Sequence, residues 1–301
     1  MRTWRVILLL TWLAACAVPP PVMTPVPLPH ARHGHRVEPV RGGLLAFGGS
    51  APRAGADASR QSWWLAPGAA AWRRVSDMAT PRNFFGSAVI DGVVYAIGNG
   101  VERYDFDADR WCPVAPAGQL PRSHFAAAAI GRELFVLGGF PLERSTASLV
   151  DVDSGAVRAT SAPPGFCAGD HFHCVATLAG ELHVIGGLDG ETFTPRCQHW
   201  IRDGASWRAA EPVPVGVWTK FGGSAVVGDE LLLFGEFGGL CYDRASGWRP
   251  CAGRGELVAM AAYAGVGAEV CAIGGLPVEG PRRSMLGVYT PATDRWRSRD
   301  G

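Results

Sequence analysis

Residues 121–139, PRSHFAAAAIGRELFVLGG, contain the pattern that decides the fold of this chain. The pattern predicts two short apolar strands, 123–130 and 133–137, joined by a turn at Gly131-Arg132 and followed by Gly138-Gly139. Neither strand alternates polar and apolar residues as a half-solvated sheet does, so both faces of the hairpin are expected to be covered. The glycine pair suits a sharp exit from the second strand, because glycine adopts positive φ without steric cost. A hairpin of this kind needs neighbours on both sides.

The same unit recurs six times when the chain is aligned on the glycine pair. The strand end and its glycine recur at 44–49, 93–99, 134–139, 182–187, 231–236 and 270–275, and successive first glycines lie 39 to 50 residues apart. In most units an aromatic third strand and a tryptophan follow, most clearly at 103–111, 241–248 and 288–296. The third unit has Val157-Arg158 at the tryptophan position. Four short strands in each unit of about 40–50 residues predict an all-β propeller with six blades.

Composition agrees with this class of fold. The chain has 301 residues with 40 glycines and 23 prolines, which suits a turn-rich all-β protein. Hydrophobic residues make up 48% and charged residues 18%, and this balance excludes a disordered chain. The formal net charge is +1 and Lys220 is the sole lysine, so no basic surface for nucleic acid is expected.

The repeated unit resembles the kelch repeat. The resemblance rests on RHGH at 32–35, the glycine pair, Tyr-Asp in the third strand and tryptophan in the fourth, and it covers about residues 29–298. It departs from the family pattern at Asn99 and Glu236, which replace second glycines, and in the sixth unit, which lacks the arginine. The resemblance implies a six-bladed kelch-type β-propeller over residues 29–301, with four antiparallel strands per blade. Because the first and last units both look complete, the way in which the ring closes stays open.

The N-terminus predicts export. Arg2 and Arg5 precede an apolar core at 6–15 that is too short to span a bilayer, as in a secretory signal. The sequence LAAC at 13–16 resembles the lipobox of bacterial lipoproteins, which implies a signal peptide at 1–15 and lipidation of Cys16. An ordinary secretory signal with an incidental cysteine is the alternative. Residues 16–28 form a proline-rich linker. Ala17, the residue after the lipidated cysteine, favours the outer membrane as the site of the lipid anchor. We therefore expect a lipid-anchored monomer on the periplasmic side of the outer membrane or on the cell surface.

The start of each innermost strand predicts a ligand site at the mouth of the central channel. Sixteen residues before each first glycine stand Arg32, Arg82, Arg122, Asp170, Thr219 and Val258, with His171 and Lys220 adjacent to two of them. A partial ring of guanidinium groups suits an anionic ligand, because arginine binds carboxylates through two parallel hydrogen bonds. The alternative is that these arginines only hydrogen-bond the backbone of the blades, since the kelch pattern itself often has arginine there.

The loops between the second and third strands predict a second recognition surface. They are expected to share one rim with the loops that enter the innermost strands, and they are long at 50–61, 140–147, 188–196 and 276–284. Charged side chains on these loops are Arg53, Arg144, Asp189, Glu191 and Arg282. The alternative interpretation is that they are solvated loop tips.

Histidines and cysteines are the candidate residues for metal binding and cross-linking. His171 and His173 lie two apart on a strand and point to one side, but His173 falls where the kelch pattern has histidine, so no metal and no cofactor is predicted. Cys241 and Cys251 lie on the two arms of one predicted hairpin and are the predicted disulfide. Cys174 and Cys271 lie on apolar strands and are expected to be buried thiols.

The sequence contains no nucleophile, zinc-protease or phosphate-loop motif. It therefore favours a binding or interaction module of the cell envelope with a protein or glycan partner. The alternative is a periplasmic carbohydrate-binding or sugar-modifying enzyme that uses the channel mouth, similar to the six-bladed kelch mutarotase of sialic acid. A copper-radical oxidase of the kelch type is poorly supported, because none of the five tyrosines lies beside a histidine pair.

Overall fold

The computed structural model describes residues 26–51, 57–141, 146–167, 169–214, 222–235, 238–253, 258–277 and 286–299. They form six four-stranded antiparallel sheets, in each of which the strands are arranged in the order of the chain, and one additional two-stranded sheet. The predicted six-bladed propeller is confirmed. Within the described ranges no helix is long and apolar enough to cross a bilayer.

The first three blades have the following strands, listed from the innermost to the outermost. Blade 1 has β1 His33–Val40, β2 Gly43–Ser50, β3 Ser62–Leu65 and β4 Arg73–Val75. Blade 2 has β5 Gly86–Ile90, β6 Val93–Ile97, β7 Val101–Asp105 and β8 Arg110–Ala115. Blade 3 has β9 Ala126–Ile130, β10 Glu133–Leu137, β11 Ala147–Asp151 and β12 Val157–Ala159.

The other three blades have the same plan. Blade 4 has β13 Cys174–Leu178, β14 Glu181–Ile185, β15 His199–Asp203 and β16 Ser206–Ala209. Blade 5 has β17 Gly223–Val227, β18 Glu230–Gly235, β19 Gly238–Asp243 and β20 Gly247–Cys251. Blade 6 begins with the two-residue strand β21 Val258–Ala259 and continues with β22 Ala262–Val266, β23 Glu269–Ile273, β24 Leu276–Pro277, β25 Leu286–Thr290 and β26 Arg295–Arg299. Strands β21 and β24 pair with each other beside the main sheet, and a 3₁₀ turn at Pro291–Thr293 precedes β26.

The innermost strands form the wall of a central channel. In order they are β1, β5, β9, β13, β17 and β22, each contacts the next, and β22 contacts β1. The ring closes without a shared sheet, since blades 1 and 6 each contain four strands of their own. Closure comes from packing, in which Leu44 and Ala46 of blade 1 share one hydrophobic cluster with Ile273 and Val288 of blade 6.

The glycine pairs hold neighbouring blades at close distance. Gly138 has a φ of +78°, and a Cβ atom at this position would lie 2.5 Å from the carbonyl oxygen of Asp170 in the next blade. The second glycine of a pair donates its N–H across the same seam, as Gly49 does to the carbonyl of Arg82 and Gly275 to the carbonyl of Arg32, both at 2.8 Å. Asn99 keeps this function with a φ of +61°, because asparagine tolerates the left-handed region.

In every blade but the third, a tryptophan in or next to the outermost strand hydrogen-bonds to an earlier part of the chain. The indole N–H groups donate at 2.7–3.2 Å, in the pairs Trp72 to Val26, Trp111 to Ser62, Trp207 to Ser161, Trp248 to Glu211 and Trp296 to Ala252. Leu28 is buried in the cluster that joins blades 1 and 6. The last residues of the predicted linker therefore contact the propeller.

Candidate binding site at the channel mouth

The channel contains two adjoining cavities that share Arg36, Ala127, Val175 and Ser224 in their walls. The upper cavity, of about 140 Å³, lies at the starts of the innermost strands. The lower cavity, of about 350 Å³, runs along those strands between small side chains such as Ala128. The small residues of the innermost strands thus leave an open lumen where six sheets converge.

A ring of residues in the left-handed conformation narrows the mouth of this channel. One residue in each of five blades has a φ between +48° and +62°, namely Gly34, Phe84, His124, Phe172 and Met260. Backbone hydrogen bonds join neighbours in the ring, from Gly34 N–H to Met260 at 3.3 Å, from Phe84 to Gly34 at 2.9 Å and from His124 to Phe84 at 2.7 Å. This conformation costs a non-glycine residue about 1–2 kcal/mol, and the hydrogen bonds between blades offset part of that cost.

The ring explains why the third innermost strand is shorter than predicted. The prediction began this strand at residue 123, whereas β9 begins at Ala126. His124 has a φ of +60°, which interrupts the extended conformation. Ser123 instead pairs with Phe140 of the loop between the second and third strands. The predicted sharing of one rim by the two sets of loops is confirmed by this bridge and by the bridge between Ser59 and Arg82.

Aromatic side chains of the ring and the rim form a continuous arc from blade 1 to blade 4, which we call the aromatic crescent. Its members are His33, Phe84, His124, Phe140, His171, Phe172 and Phe193. Phe84 and His124 are stacked, with ring centroids 4.8 Å apart and an interplanar angle of 18°. Phe140 and Phe193 are 38% and 63% exposed, and they are the large hydrophobic residues that are exposed within the described ranges. The mouth is therefore an aromatic surface.

Two of the arginines predicted for the mouth lie inside the blades. Arg32 is buried and donates to the carbonyl of Gly48 at 2.9 Å, and burial lowers the pKa of Arg32 to about 10. Arg82 is buried, donates to the carbonyl of Gly98 at 3.1 Å and forms an ion pair with Glu102 at 2.6 Å. These contacts agree with the structural alternative, and the ligand-binding role of the two side chains stays a prediction.

The other predicted mouth residues have different surroundings. Arg122 is exposed, and its backbone N–H donates to Phe140 at 2.7 Å. Asp170 is fully buried, accepts hydrogen bonds from two backbone N–H groups and pairs with Arg196 at 3.0 Å. His171 is buried, with Nδ1 placed 2.7 Å from the carbonyl oxygen of Gly169, and its ring belongs to the crescent. Lys220 lies outside the described residues.

On the rim, Asp189 stabilises its own loop. Its carboxylate accepts from the backbone N–H groups of Glu191 and Thr192 at 3.0 and 2.9 Å and pairs with Arg196 at 2.8 Å. These hydrogen bonds lower the pKa of Asp189, with Arg196 adding to the effect. Glu191 is exposed at the tip of the loop. Arg53, Arg144 and Arg282 lie outside the described residues, and a recognition role for the loops stays a prediction.

The cysteines and histidines fall into two groups. Cys241 and Cys251 are free thiols in hydrogen-bond contact with each other, which lowers the pKa of Cys241 and raises that of Cys251; the disulfide stays a prediction. Burial raises the pKa of the Cys174 and Cys271 thiols to about 11 and about 12. Burial also lowers the pKa of His173 to about 4. Among the described residues, no group of three or more histidine, cysteine, aspartate or glutamate side chains is arranged to hold a metal ion. Cys16 lies outside the described residues.

Sequence reasoning missed the aromatic crescent. The signal was present in one column of the alignment, two residues after the arginine position, which holds Gly34, Phe84, His124, Phe172, Phe221 and Met260. Four of these six side chains are aromatic rings. The backbone angle that turns them toward the mouth could not be inferred, because residues other than glycine rarely adopt it.

Comparisons with known proteins agree with the fold. No protein-family model matches the chain. Kelch-like protein 15 of Mus musculus is 24% identical over 201 residues, which is 57% of this chain and 32% of that protein. Kelch-like protein 35 of Mus musculus is 23% identical over 199 residues, with 65% and 34% covered, and Kelch-like protein 34 of Homo sapiens is 34% identical over 123 residues, with 37% and 19% covered. The chain spans about a third of the length of the first two relatives.

A solved structure described as YjhT superposes with a TM-score of 0.75 at 13% identity, and the match covers 91% of this chain and 99% of that one. At this identity the likeness concerns the fold. Together with six blades of four antiparallel strands and the sequence similarity to Kelch-like proteins, it shows that the chain is a kelch-type six-bladed β-propeller.

Proposed function

We propose that this chain is a binding module of the cell envelope, held at the membrane by a lipid on Cys16, which recognises a protein partner through the rim that carries the aromatic crescent. The observation that carries the proposal is the position of Phe140 and Phe193. Both are exposed, both contact the ring of His171, and both lie on rim loops at one end of the propeller.

Exposed aromatic side chains of this kind have a recognised use. Residues that contribute most to protein interfaces are enriched in aromatic rings, and they work best where a rigid surround keeps water out. Here the surround is rigid, because the backbone of Phe84 and His124 is hydrogen-bonded from blade to blade. The kelch-type scaffold supports the proposal, since propellers present loops of several blades on one rim.

In-cell photo-crosslinking tests this function. A photo-reactive amino acid replaces Phe193 in one variant and Asp91 in the control, an exposed turn residue between the two inner strands of blade 2. Strands β5 and β6 join at Asp91, at the end of the blade opposite to the rim loops. We expect a discrete protein adduct from position 193 and none from position 91. Equal adducts at both positions, or none at 193, would contradict a rim-specific partner.

The anchor is tested separately. The variant Cys16→Ser should move the protein from the membrane fraction to the soluble envelope fraction. If the partner is a soluble protein, the crosslinked adduct at position 193 should still form in this variant. Retention of Cys16→Ser in the membrane would contradict lipidation.

The enzyme alternative has weaker support. A sugar ring could stack on the crescent, as carbohydrates do on aromatic faces. Yet Asp170, the acid predicted for the mouth, is fully buried and bound to Arg196 and two backbone N–H groups, which leaves it no contact with a substrate at the mouth.

A further inference from the structure

Blade 1 differs from the other five blades at two positions that face the channel seam. Arg36 pairs with Phe47, the residue before the first glycine, and the same pairing in the other blades involves Gly86, Ala126, Cys174, Gly223 and Ala262. Two residues further on, Glu38 stands where the other blades have Ala88, Ala128, Ala176, Ala225 and Ala264. Five blades thus have glycine, alanine or cysteine at positions where blade 1 has two opposite charges.

The charged pair lies between blades 1 and 2 and faces the lumen. The Nε–H group of Arg36 donates to the carbonyl of Phe85 at 2.5 Å, and the hydroxyl of Ser87 donates to the carboxylate of Glu38 at 2.5 Å. Arg36 is half-buried and lines both cavities, whereas Glu38 lines the lower one. Within the described residues no carboxylate lies within 4.0 Å of the Arg36 guanidinium, in contrast to the ion pair of Arg82.

The upper cavity is otherwise uncharged. Its three histidines, His35, His124 and His173, have lowered pKa values because of burial, so their rings are neutral at physiological pH. Burial raises the pKa of its cysteine, Cys174, to about 11. Among the described residues that line this cavity, Arg36 is therefore the one that carries a charge, and that charge is positive.

The other end of the same cavity is apolar. Phe84, His124, Phe172 and Met260 of the mouth ring line it together with Arg36. A ligand that fits this lining has an anionic end for the guanidinium and a flat, apolar end for the aromatic rings. A guanidinium binds a carboxylate through two parallel hydrogen bonds, and Arg36 has two terminal nitrogens beyond the Nε that Phe85 occupies.

We propose that the channel binds a small aromatic monocarboxylate, with the carboxylate on the terminal guanidinium nitrogens of Arg36 and the ring among Phe84, His124 and Phe172. This site lies inside the channel, and the proposal does not depend on the proposed binding of a protein partner by the rim. If the channel does not bind such a ligand, the expected result of the crosslinking experiment does not change.

Calorimetric titration of the full-length chain, purified in mild detergent, with benzoate tests the proposal. We expect saturable binding of benzoate, and no binding of benzamide, which has the same shape without the charge. Arg36→Ala should weaken benzoate binding by about tenfold or more, because a hydrogen bond to a charged group contributes about 1.5–3 kcal/mol. Glu38→Ala is the matched control, and it should bind benzoate equally well or more tightly, since it removes the neighbouring negative charge.

The variants are expected to fold, because alanine stands at the equivalent of position 36 in blades 3 and 6 and at the equivalent of position 38 in all five other blades. Arg36→Gln, which keeps a long polar side chain in the same space, provides a second test should Arg36→Ala unfold. The proposal is overturned by a blank benzoate titration, by equal affinity for benzamide, or by unchanged affinity in the folded Arg36 variant.

Discussion

Blades 2 and 4 each have an ion pair at the entry to the innermost strand, with the two charges in reversed positions. In blade 2, Arg82 at the entry to the innermost strand pairs with Glu102 on the third strand. In blade 4 the entry position holds Asp170, and the guanidinium comes from Arg196, which precedes the third strand. Both arrangements tie the inner part of a blade to its third strand through an ion pair. In these two blades an ion pair occupies this place, and either partner can be the cation.

The two ion pairs differ in how far their side chains are buried from solvent. The side chains of Arg82 and Glu102 are 3% and 7% exposed, whereas Arg196 is 17% exposed above a fully buried Asp170. Asp170 also keeps two backbone N–H donors of its own. Loss of the partner should therefore cost more in blade 2 than in blade 4.

The largest effect is expected for Glu102→Ala. This change leaves the buried guanidinium of Arg82 without a counter-charge and removes the acceptor for the N–H groups of Ala79 and Thr80. We expect the free energy of unfolding to fall by about 3–5 kcal/mol, measured by urea denaturation. The control is Glu133→Ala, which breaks an exposed pair with Arg158 and should cost about 1 kcal/mol or less. Equal costs for the two variants would show that the buried pair contributes nothing beyond a surface pair.

A smaller effect is expected for Arg196→Met in blade 4. The Asp170 carboxylate loses its ion pair but keeps the N–H groups of Cys167 and Gly190, so we expect a loss of about 2–3 kcal/mol. The same substitution in an Asp170→Asn background should cost clearly less, because the amide needs no counter-charge. Additive costs in this double-mutant cycle would show that the two side chains do not interact.

Sequence reasoning identified the fold because the features that define it are local and repeated. The glycine pair, the Tyr-Asp turn and the tryptophan each recur in similar places of the unit. The structure gives the glycine pair and the tryptophan contacts with a neighbouring blade or segment, and the aspartate of the Tyr-Asp turn accepts hydrogen bonds within its own turn. The site was harder to predict for a physical reason. The arginine column suggested a cationic mouth, but whether a side chain turns into the blade or toward the channel depends on pairings such as Arg82 with Glu102, which lie 20 residues apart. Likewise, the contrast of Arg36 with its five equivalents becomes visible only when strand register aligns the blades.

A second difference between blades 2 and 4 is chemical and concerns acid stability. Blade 4 buries His183 and His199, with Nδ1 of His183 placed 2.8 Å from Nε2 of His199. At the equivalent register positions blade 2 has Tyr95 and Val101, which carry no charge at any pH between 4 and 8. Because Nδ1 of His199 lies 3.2 Å from the carbonyl oxygen of Glu211, that nitrogen carries a hydrogen, and Nε2 is left to accept from His183.

This pair should make the protein less stable in acid. Burial lowers the pKa of both His183 and His199 to about 4, below the ordinary histidine value of 6.5. The folded state keeps both rings neutral, so their contribution is complete above pH 6.5 and is lost as the pH falls from 6.5 toward 4, where the unfolded chain binds more protons. The double variant His183→Tyr/His199→Val copies blade 2, and between pH 7.5 and pH 5 it should lose about 4 kcal/mol less stability than the parent, about 2 kcal/mol for each histidine removed. Urea denaturation of both proteins at the two pH values measures this difference. His35 and His173 titrate in the same direction and remain in the variant, so the acid dependence should weaken without vanishing. An identical acid dependence in the variant and the parent would mean that folding does not shift the pKa of the two histidines, and the difference from blade 2 would then be one of packing alone.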